Sequence, residues 1–259
     1  MITEALALGM KPPPLMMSSL KEICNQASQQ GTRIWIDAEQ TVFQPTIDSW
    51  TTELMRTCNR HGKILVYNTF QAYLKGTSQN IANHLKLAKE EGWTLGIKLV
   101  RGAYIASEPR HLIHDTIEDT HAAYDSIVQS LLSRSFPEVE RMPNVQLMLA
   151  SHNSASVKSG FETWRRRKER GLPTITLELG QLQGMADEIS CGLVQKRQQL
   201  ISQEDPNYPR AFKCLCWGSV QQCIHFLMRR IIENKGSLER TNLWMAGLKR
   251  ELWRRMKRG

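Results

Sequence analysis

The sequence predicts an α/β fold of the (βα)8-barrel type, on three observations. Strand-like segments recur every thirty to fifty residues or so with a helix-like segment between each pair, which is the βαβ pattern of a parallel sheet. Those segments are apolar runs without strict alternation, as in strands covered on both faces. The length of 259 residues matches the roughly 250 that one such barrel takes. A composition of 41% hydrophobic and 23% charged residues is that of a chain with a sizeable core, not a disordered one.

In order, residues 1–17 read as an irregular segment punctuated by Pro12, Pro13 and Pro14, residues 18–245 as the barrel domain, and 246–259 as a basic tail. Helix 18–30 is capped by Ser18 or Ser19 and stopped by Gly31, because short hydroxyl side chains satisfy the first N–H groups and glycine accepts the left-handed exit. Strand 33–38 (RIWIDA) precedes helix 45–60, which closes at His61-Gly62. Strand 64–73 precedes helix 79–91 and its stop at Gly92. Strand 93–104 leads through an insertion, 105–115, into helix 116–133. Strand 144–153, helix 154–170, strand 174–182 and helix 184–192 follow. A polar loop through Asp205-Pro206-Asn207 ends in strand 211–217, which feeds helix 218–234. About six strands are present against the eight of a closed barrel, with none before Arg33. The barrel is therefore expected to be incomplete and to expose strand edges and apolar surface.

The net charge of +9 gathers partly in the last dozen or so residues, LKRELWRRMKRG. That run suits a solvated terminal helix or an acidic lipid surface; nucleic acid is not expected, since only Trp253 interleaves it and no nucleic-acid motif accompanies it. Cys24, Cys58, Cys191, Cys214, Cys216 and Cys223 lack CxxC or zinc spacing, so they read as reduced, mostly buried thiols, with no metal centre. The N-terminal MITEALALGMKPPPLMM is neither a signal peptide nor a membrane span, and it lacks the arginine and serine of a mitochondrial presequence. Either a cytosolic protein or an absent true beginning accounts for it.

The chemistry gathers where strands stop, since α/β barrels build their sites from the carboxyl ends of strands. Those ends read Asp37-Ala38-Glu39-Gln40, Gln71, Arg101 to Tyr104, Ser151-His152-Asn153, Gln181 with Gly184-Met185, and Trp217-Gly218. Singly, Asp37 could cap a turn, His152 could be a satisfied core histidine and Gln71 could hold loop backbone. A polar cluster after every strand is less ordinary. In the last helix, Arg229 and Arg230 lie about 100° apart with Glu233 one turn on. Two planar guanidinium forks make a good carboxylate receptor, although the same pattern suits a solvated face with one ion pair. Ile224, Leu227, Met228, Ile231 and Ile232 give this helix an apolar face to bury.

Six ordered motifs resemble the proline dehydrogenase (proline oxidase) family, most like its fungal mitochondrial members: IDAEQ at 36–40, FQAYL at 70–74, KLVRGAY at 98–104, ASHN at 150–153, GQLQGM at 180–185 and FLMRRIIEN at 226–234. The resemblance implies an FAD enzyme on a (βα)8 barrel that oxidises L-proline to 1-pyrroline-5-carboxylate and passes electrons to a membrane quinone, in the mitochondrion. It implies that Arg229 and Arg230 hold the substrate carboxylate. It implies that Gln71, Lys98, Arg101, His152, Asn153 and Glu233 lie toward FAD, and that Asp37, Tyr104 and Leu182 line the substrate pocket. A peripheral membrane contact through the basic tail fits the same picture.

The sequence departs from the family in two ways. The amino-terminal arm and the first two strands, with a pocket lysine, are missing from it, so a catalytically incompetent barrel fragment is the alternative reading. Cys214 and Phe226 stand where many members have tyrosines; losing both phenols leaves the ring pocket wider or less polar and opens it to hydroxyproline.

Overall fold

A computed structural model of the chain describes residues 2–200, 208–233 and 238–256, without the side chains of 199–200, 231–233, 238–244 and 246. Among the described residues, β1 (Ile34–Ile36), β2 (Val66–Gln71), β3 (Leu95–Val100), β4 (Val145–Ala150), β5 (Thr176–Leu182) and β6 (Arg210–Cys214) form one six-stranded sheet in sequential order. Every neighbouring pair is parallel. The helices are α1 (Ile2–Ala7), α2 (Pro14–Gln29), α3 (Gln44–Cys58), α4 (Thr77–Glu91), α5 (Ile117–Ser133), α6 (Ser154–Glu169), α7 (Asp187–Leu200), α8 (Val220–Glu233) and α9 (Leu238–Met256). The expected barrel type, with six strands, is the observed one.

Local chemistry sets the helix ends. Thr116 and Asp119 form a reciprocal capping box at the start of α5, which satisfies two backbone donors that no helical carbonyl can reach. Gly92 ends α4 at φ 71°, a conformation that carries no Cβ penalty only in glycine. Three expectations change. Residues 2–17 are not irregular throughout: α1 packs by Leu6 O accepting from Thr46 Oγ1 at 2.7 Å, Met10 O accepts from Trp50 Nε1 at 2.9 Å, and α2 starts at Pro14, where a missing N–H costs nothing. Gly192 does not stop a helix, since α7 runs on to Leu200. The boundary at 246 falls inside α9.

The outward face of the sheet is the core. Leu95, Ile97, Leu99, Leu147, Leu149 and Leu179 are fully buried in one cluster with Tyr124, Val128, Leu131, Phe161 and Trp164 from α5 and α6. Each such side chain contributes roughly 1.5–3 kcal/mol relative to exposure. An added Cβ on Gly160 would lie 2.7 Å from Leu149 Cδ1, so α6 sits directly on β4.

The inward face is not the apolar surface the sequence suggests. Trp35 of β1 stacks on Tyr67 of β2 at 5.4 Å and 28°, and meets Phe212 of β6 at 6.3 Å. The guanidinium carbon of Arg33 lies 5.3 to 5.8 Å from the centroids of all three rings, and its Nη1 donates to Glu178 of β5 at 2.6 Å and to Tyr67 at 3.1 Å. These contacts join the first strand to the last two, so the sheet curls into a half-barrel latched across its interior. Burial pushes the Glu178 carboxyl above its ordinary range, against the opposing pull of Arg33.

The edge is sparsely covered. On α8, Val220, Ile224, Leu227 and Met228 are 77, 53, 48 and 52% exposed, which corrects the expectation that this apolar face is buried; the side chains of Ile231 and Ile232 fall outside the description. The cysteines are free as expected, but only Cys24 is buried.

Candidate active site

The strand carboxyl ends form one rim; Arg230 sits in the last turn of α8, with Arg229 just before it. Asp37, just past β1, forms an ion pair with Lys98 of β3. The Asp37 side chain is 79% exposed and that of Lys98 only 23%, so an ammonium rising from the sheet floor holds a carboxylate that faces open space. Gln71, buried at the end of β2, donates from Nε2 to Glu39 O at 2.9 Å and so fixes the loop that carries Asp37.

Tyr104 lies above this pair. Its hydroxyl reaches Ala38 O at 3.4 Å. Its pKa is pushed up to about 12, first by burial and then by the hydrogen bond to the Glu39 carboxylate, while the positive charge of Arg230 acts in the opposite sense. Arg230 is half-buried with its guanidinium carbon 5.2 Å from the Phe226 ring centroid, while Arg229 is exposed. Phe226 thus braces the guanidinium from below. Glu233 lies outside the described side chains.

On the other side of the rim, His152 Nε2 accepts from Leu182 N at 3.0 Å, tying the end of β4 to the end of β5. Gln183 N donates to Cys214 O at 2.9 Å and continues the tie to β6; Cys214 itself is exposed. Asn153 caps α6, its Oδ1 accepting from Ser156 N at 3.1 Å. Arg101 donates to His121 Nδ1 at 3.0 Å, Ser151 Oγ at 2.6 Å and Ser156 Oγ at 2.8 Å, with its guanidinium carbon 4.3 Å from the Tyr124 ring centroid. Bonds in these directions orient the guanidinium toward α5 and α6, so Arg101 braces the rim from behind.

Of the residues singled out from the sequence, Asp37, Lys98, Gln71 and Tyr104 share one set of contacts through the loop after β1, His152 and Leu182 share another, and Arg101 and Asn153 are held by α5 and α6. Sequence reasoning missed Glu39 as the partner of Tyr104, although Glu39 stood within the IDAEQ signal. It also missed His121, which sits in the second turn of α5 and carries no local signature. No group of three or more His, Cys, Asp or Glu able to hold a metal ion occurs among the described residues.

The chain matches the family model described as proline dehydrogenase over residues 3–243. It is 34% identical to mitochondrial proline dehydrogenase 1 of Caenorhabditis elegans, covering 94% of this chain and 38% of that protein. The same protein from Homo sapiens is 34% identical over 94% of this chain and 39% of its own length. A probable mitochondrial proline dehydrogenase of Schizosaccharomyces pombe is 34% identical over 91% of this chain and 49% of its own. The chain therefore spans less than half the length of each of these relatives. Among solved structures, proline utilization A of Bdellovibrio bacteriovorus, inactivated by N-propargylglycine, superposes with a TM-score of 0.67 at 20% identity, over 85% of this chain and 22% of that one. That likeness is one of fold.

Proposed function

Because the chain belongs to the proline dehydrogenase family, we propose that its rim oxidises L-proline to 1-pyrroline-5-carboxylate in the mitochondrion, with FAD as cofactor and a membrane quinone as final electron acceptor. The observation that carries this reading is the polar cluster at the strand ends, where Lys98 pairs with Asp37, Gln71 fixes the loop that carries Asp37 and the Tyr104 hydroxyl meets Ala38 O. That cluster offers a cation, a carboxylate and a neutral phenol to a small amino acid and its cofactor.

The donor set fits a flavin. The Lys98 ammonium beside Asp37 is a cation of the kind that an electron-rich reduced ring calls for, with Gln71 and His152 at neighbouring strand ends and Arg101 and Asn153 held behind them by their bonds to α5 and α6. Bound there, the flavin supplies the two-electron acceptance that oxidation of a C–N bond needs. The protein supplies the rest. Arg229 and Arg230 hold the carboxylate through charge-assisted bonds and so fix the C5 hydrogen in one direction. Tyr104, with a pKa near 12, stays protonated at neutral pH and lines the ring as a neutral wall. Asp37 stays beside Lys98, so the carboxylate is neutralised and does not repel the substrate's own. Oxidation removes the C5 hydrogen with its electron pair and a proton from nitrogen, leaving the C=N bond of the product.

The exposed Cys214 and the Arg230-backed Phe226 present no phenol to the ring, which leaves 4-hydroxyproline within the accepted substrate class. The test is anaerobic titration of the yellow protein: proline should bleach the flavin band, and 4-hydroxyproline should do so more weakly. A protein that takes up no flavin, or whose flavin is unchanged by both amino acids, refutes the reading.

A further inference from the structure

The cysteines carry no spacing signature, yet the fold brings two of them together. Cys24 lies on α2 and Cys58 is the last residue of α3. Their side chains share a hydrogen bond. Cys24 is buried within the main core cluster, and Cys58 packs half-buried against that cluster. Thr57 Oγ1 lies 3.5 Å from Cys58 Sγ, and the positive charge of Lys21, one turn before Cys24 on α2, also reaches that sulfur. A partly exposed sulfur beside a hydroxyl and an ammonium, with a second thiol behind it, is the arrangement of a reactive cysteine and its resolving partner. The bond from Cys24, then Thr57 and Lys21, holds the Cys58 thiol below its ordinary value against the opposing effect of burial, while the same bond and burial push Cys24 up. Cys58 is thus the thiolate of the pair. The contact also sits where α2 has little else to hold it. The buried residues of α2 are Cys24 and Ala27, and its Leu15 and Ile23 are 80 and 54% exposed.

We propose that Cys24 and Cys58 form a modification site at which a hydroperoxide converts the two thiols to a disulfide that ties α2 to the end of α3. The Cys58 thiolate attacks the outer oxygen of the hydroperoxide; an S–O bond forms, the O–O bond breaks, and the leaving oxygen takes a proton to depart as an alcohol, or as water when the oxidant is hydrogen peroxide. Cys24 then attacks the sulfur of the Cys58 sulfenic acid, the S–O bond breaks, and hydroxide leaves with the Cys24 proton as water. Two electrons pass from the sulfur pair to the peroxide, and a dithiol reductant returns them. Thiols in hydrogen-bond contact need only a small approach to reach bonding distance. Cys216 and Cys223 also share a contact, but burial and that contact push the Cys223 thiol up, so this second pair serves as the internal comparison. The proposal does not rest on the flavin reading.

The test treats the reduced whole protein with hydrogen peroxide, blocks the remaining thiols with N-ethylmaleimide, and maps the digested peptides by mass spectrometry. A peptide pair joined through Cys24 and Cys58, lighter by two hydrogens than its separate peptides and parted again by dithiothreitol, should appear before any pair joined through Cys216 and Cys223. Amide hydrogen exchange in α2 should slow by about tenfold or more in the oxidised protein and recover on reduction. Cys24→Ser should leave Cys58 as the sulfenic acid, which dimedone labels roughly severalfold more than in the wild type. No pair joined through Cys24 and Cys58, earlier formation at Cys216 and Cys223, dimedone labelling unchanged by Cys24→Ser, or α2 exchange indifferent to oxidation would each overturn the proposal. The peptide map needs only the unaltered protein, so a variant that fails to fold does not shield the claim. Any of these outcomes leaves flavin bleaching by proline untouched, so the two readings fail separately.

Discussion

In β3 and β4, Leu95, Ile97, Leu99, Leu147 and Leu149 expose none of their surface, whereas on α8 the apolar residues Val220, Ile224, Leu227 and Met228 leave about half or more uncovered. Both regions contribute to the same rim: Lys98 rises from the buried centre, and Arg229 and Arg230 hang from the sparsely covered arm. The difference separates two tasks. The centre fixes geometry through close packing, in which a lost methylene is felt at once, and α8 carries Arg229 and Arg230 on a helix with few neighbours. Elements of low local contact density are those that open and move most easily, so under the proposed function substrate capture falls to the part of the molecule best able to close over a ligand.

Substitutions can break or sharpen this contrast. The largest effect belongs to the centre: Leu149→Ala should cost about 3 kcal/mol in urea unfolding, because β4 and α6 leave no room to collapse into the cavity. A comparable loss, again about 3 kcal/mol, should follow Arg33→Met, which strands the Glu178 carboxylate inside the half-barrel. The same site predicts a pH dependence. Glu178 has a folded pKa above its unfolded one, so the stability it contributes is fully present below the ordinary glutamate pKa and is lost as pH rises through the folded value. Glu178→Gln should flatten the fall in urea midpoint as pH rises above the ordinary glutamate range; an unchanged slope would place the titration elsewhere. Thr116→Ala, which removes the cap of α5, should cost about 1 kcal/mol. Smallest of all, Leu227→Gln on α8 should stay within about 0.5 kcal/mol of wild type. A loss near that of Leu149→Ala would show that α8 is as firmly packed as the centre.

Much of the architecture was legible because it is periodic. Strands such as 95–100 and 145–150 and helices such as 117–133 announce themselves through apolar spacing and caps, and the parallel order follows from the helix between each pair. What the sequence hid was non-local or conditional. Arg33 and Glu178 are 145 residues apart, and nothing near either predicts that they latch the interior. Arg101 belongs to the KLVRGAY motif and reads as a cofactor contact, yet its donors are taken up by His121, Ser151 and Ser156, partners only the fold brings near. Gly192 looked like a stop and lies within a helix, since a glycine ends a helix only where the backbone turns left-handed. The apolar stripe of α8 was legible as a stripe, but spacing alone cannot tell whether a stripe faces a core or the outside.

The central claim is that an arm-borne arginine anchors the substrate over a rim fixed by the sheet. Arg230→Met tests it most directly, by measuring proline KM and bound flavin on the same preparations. Losing one charge-assisted carboxylate clamp should raise KM about a hundredfold while flavin content stays at the wild-type level. Parallel loss of flavin and proline affinity would show instead that Arg230 supports the fold of the rim, and would contradict the account.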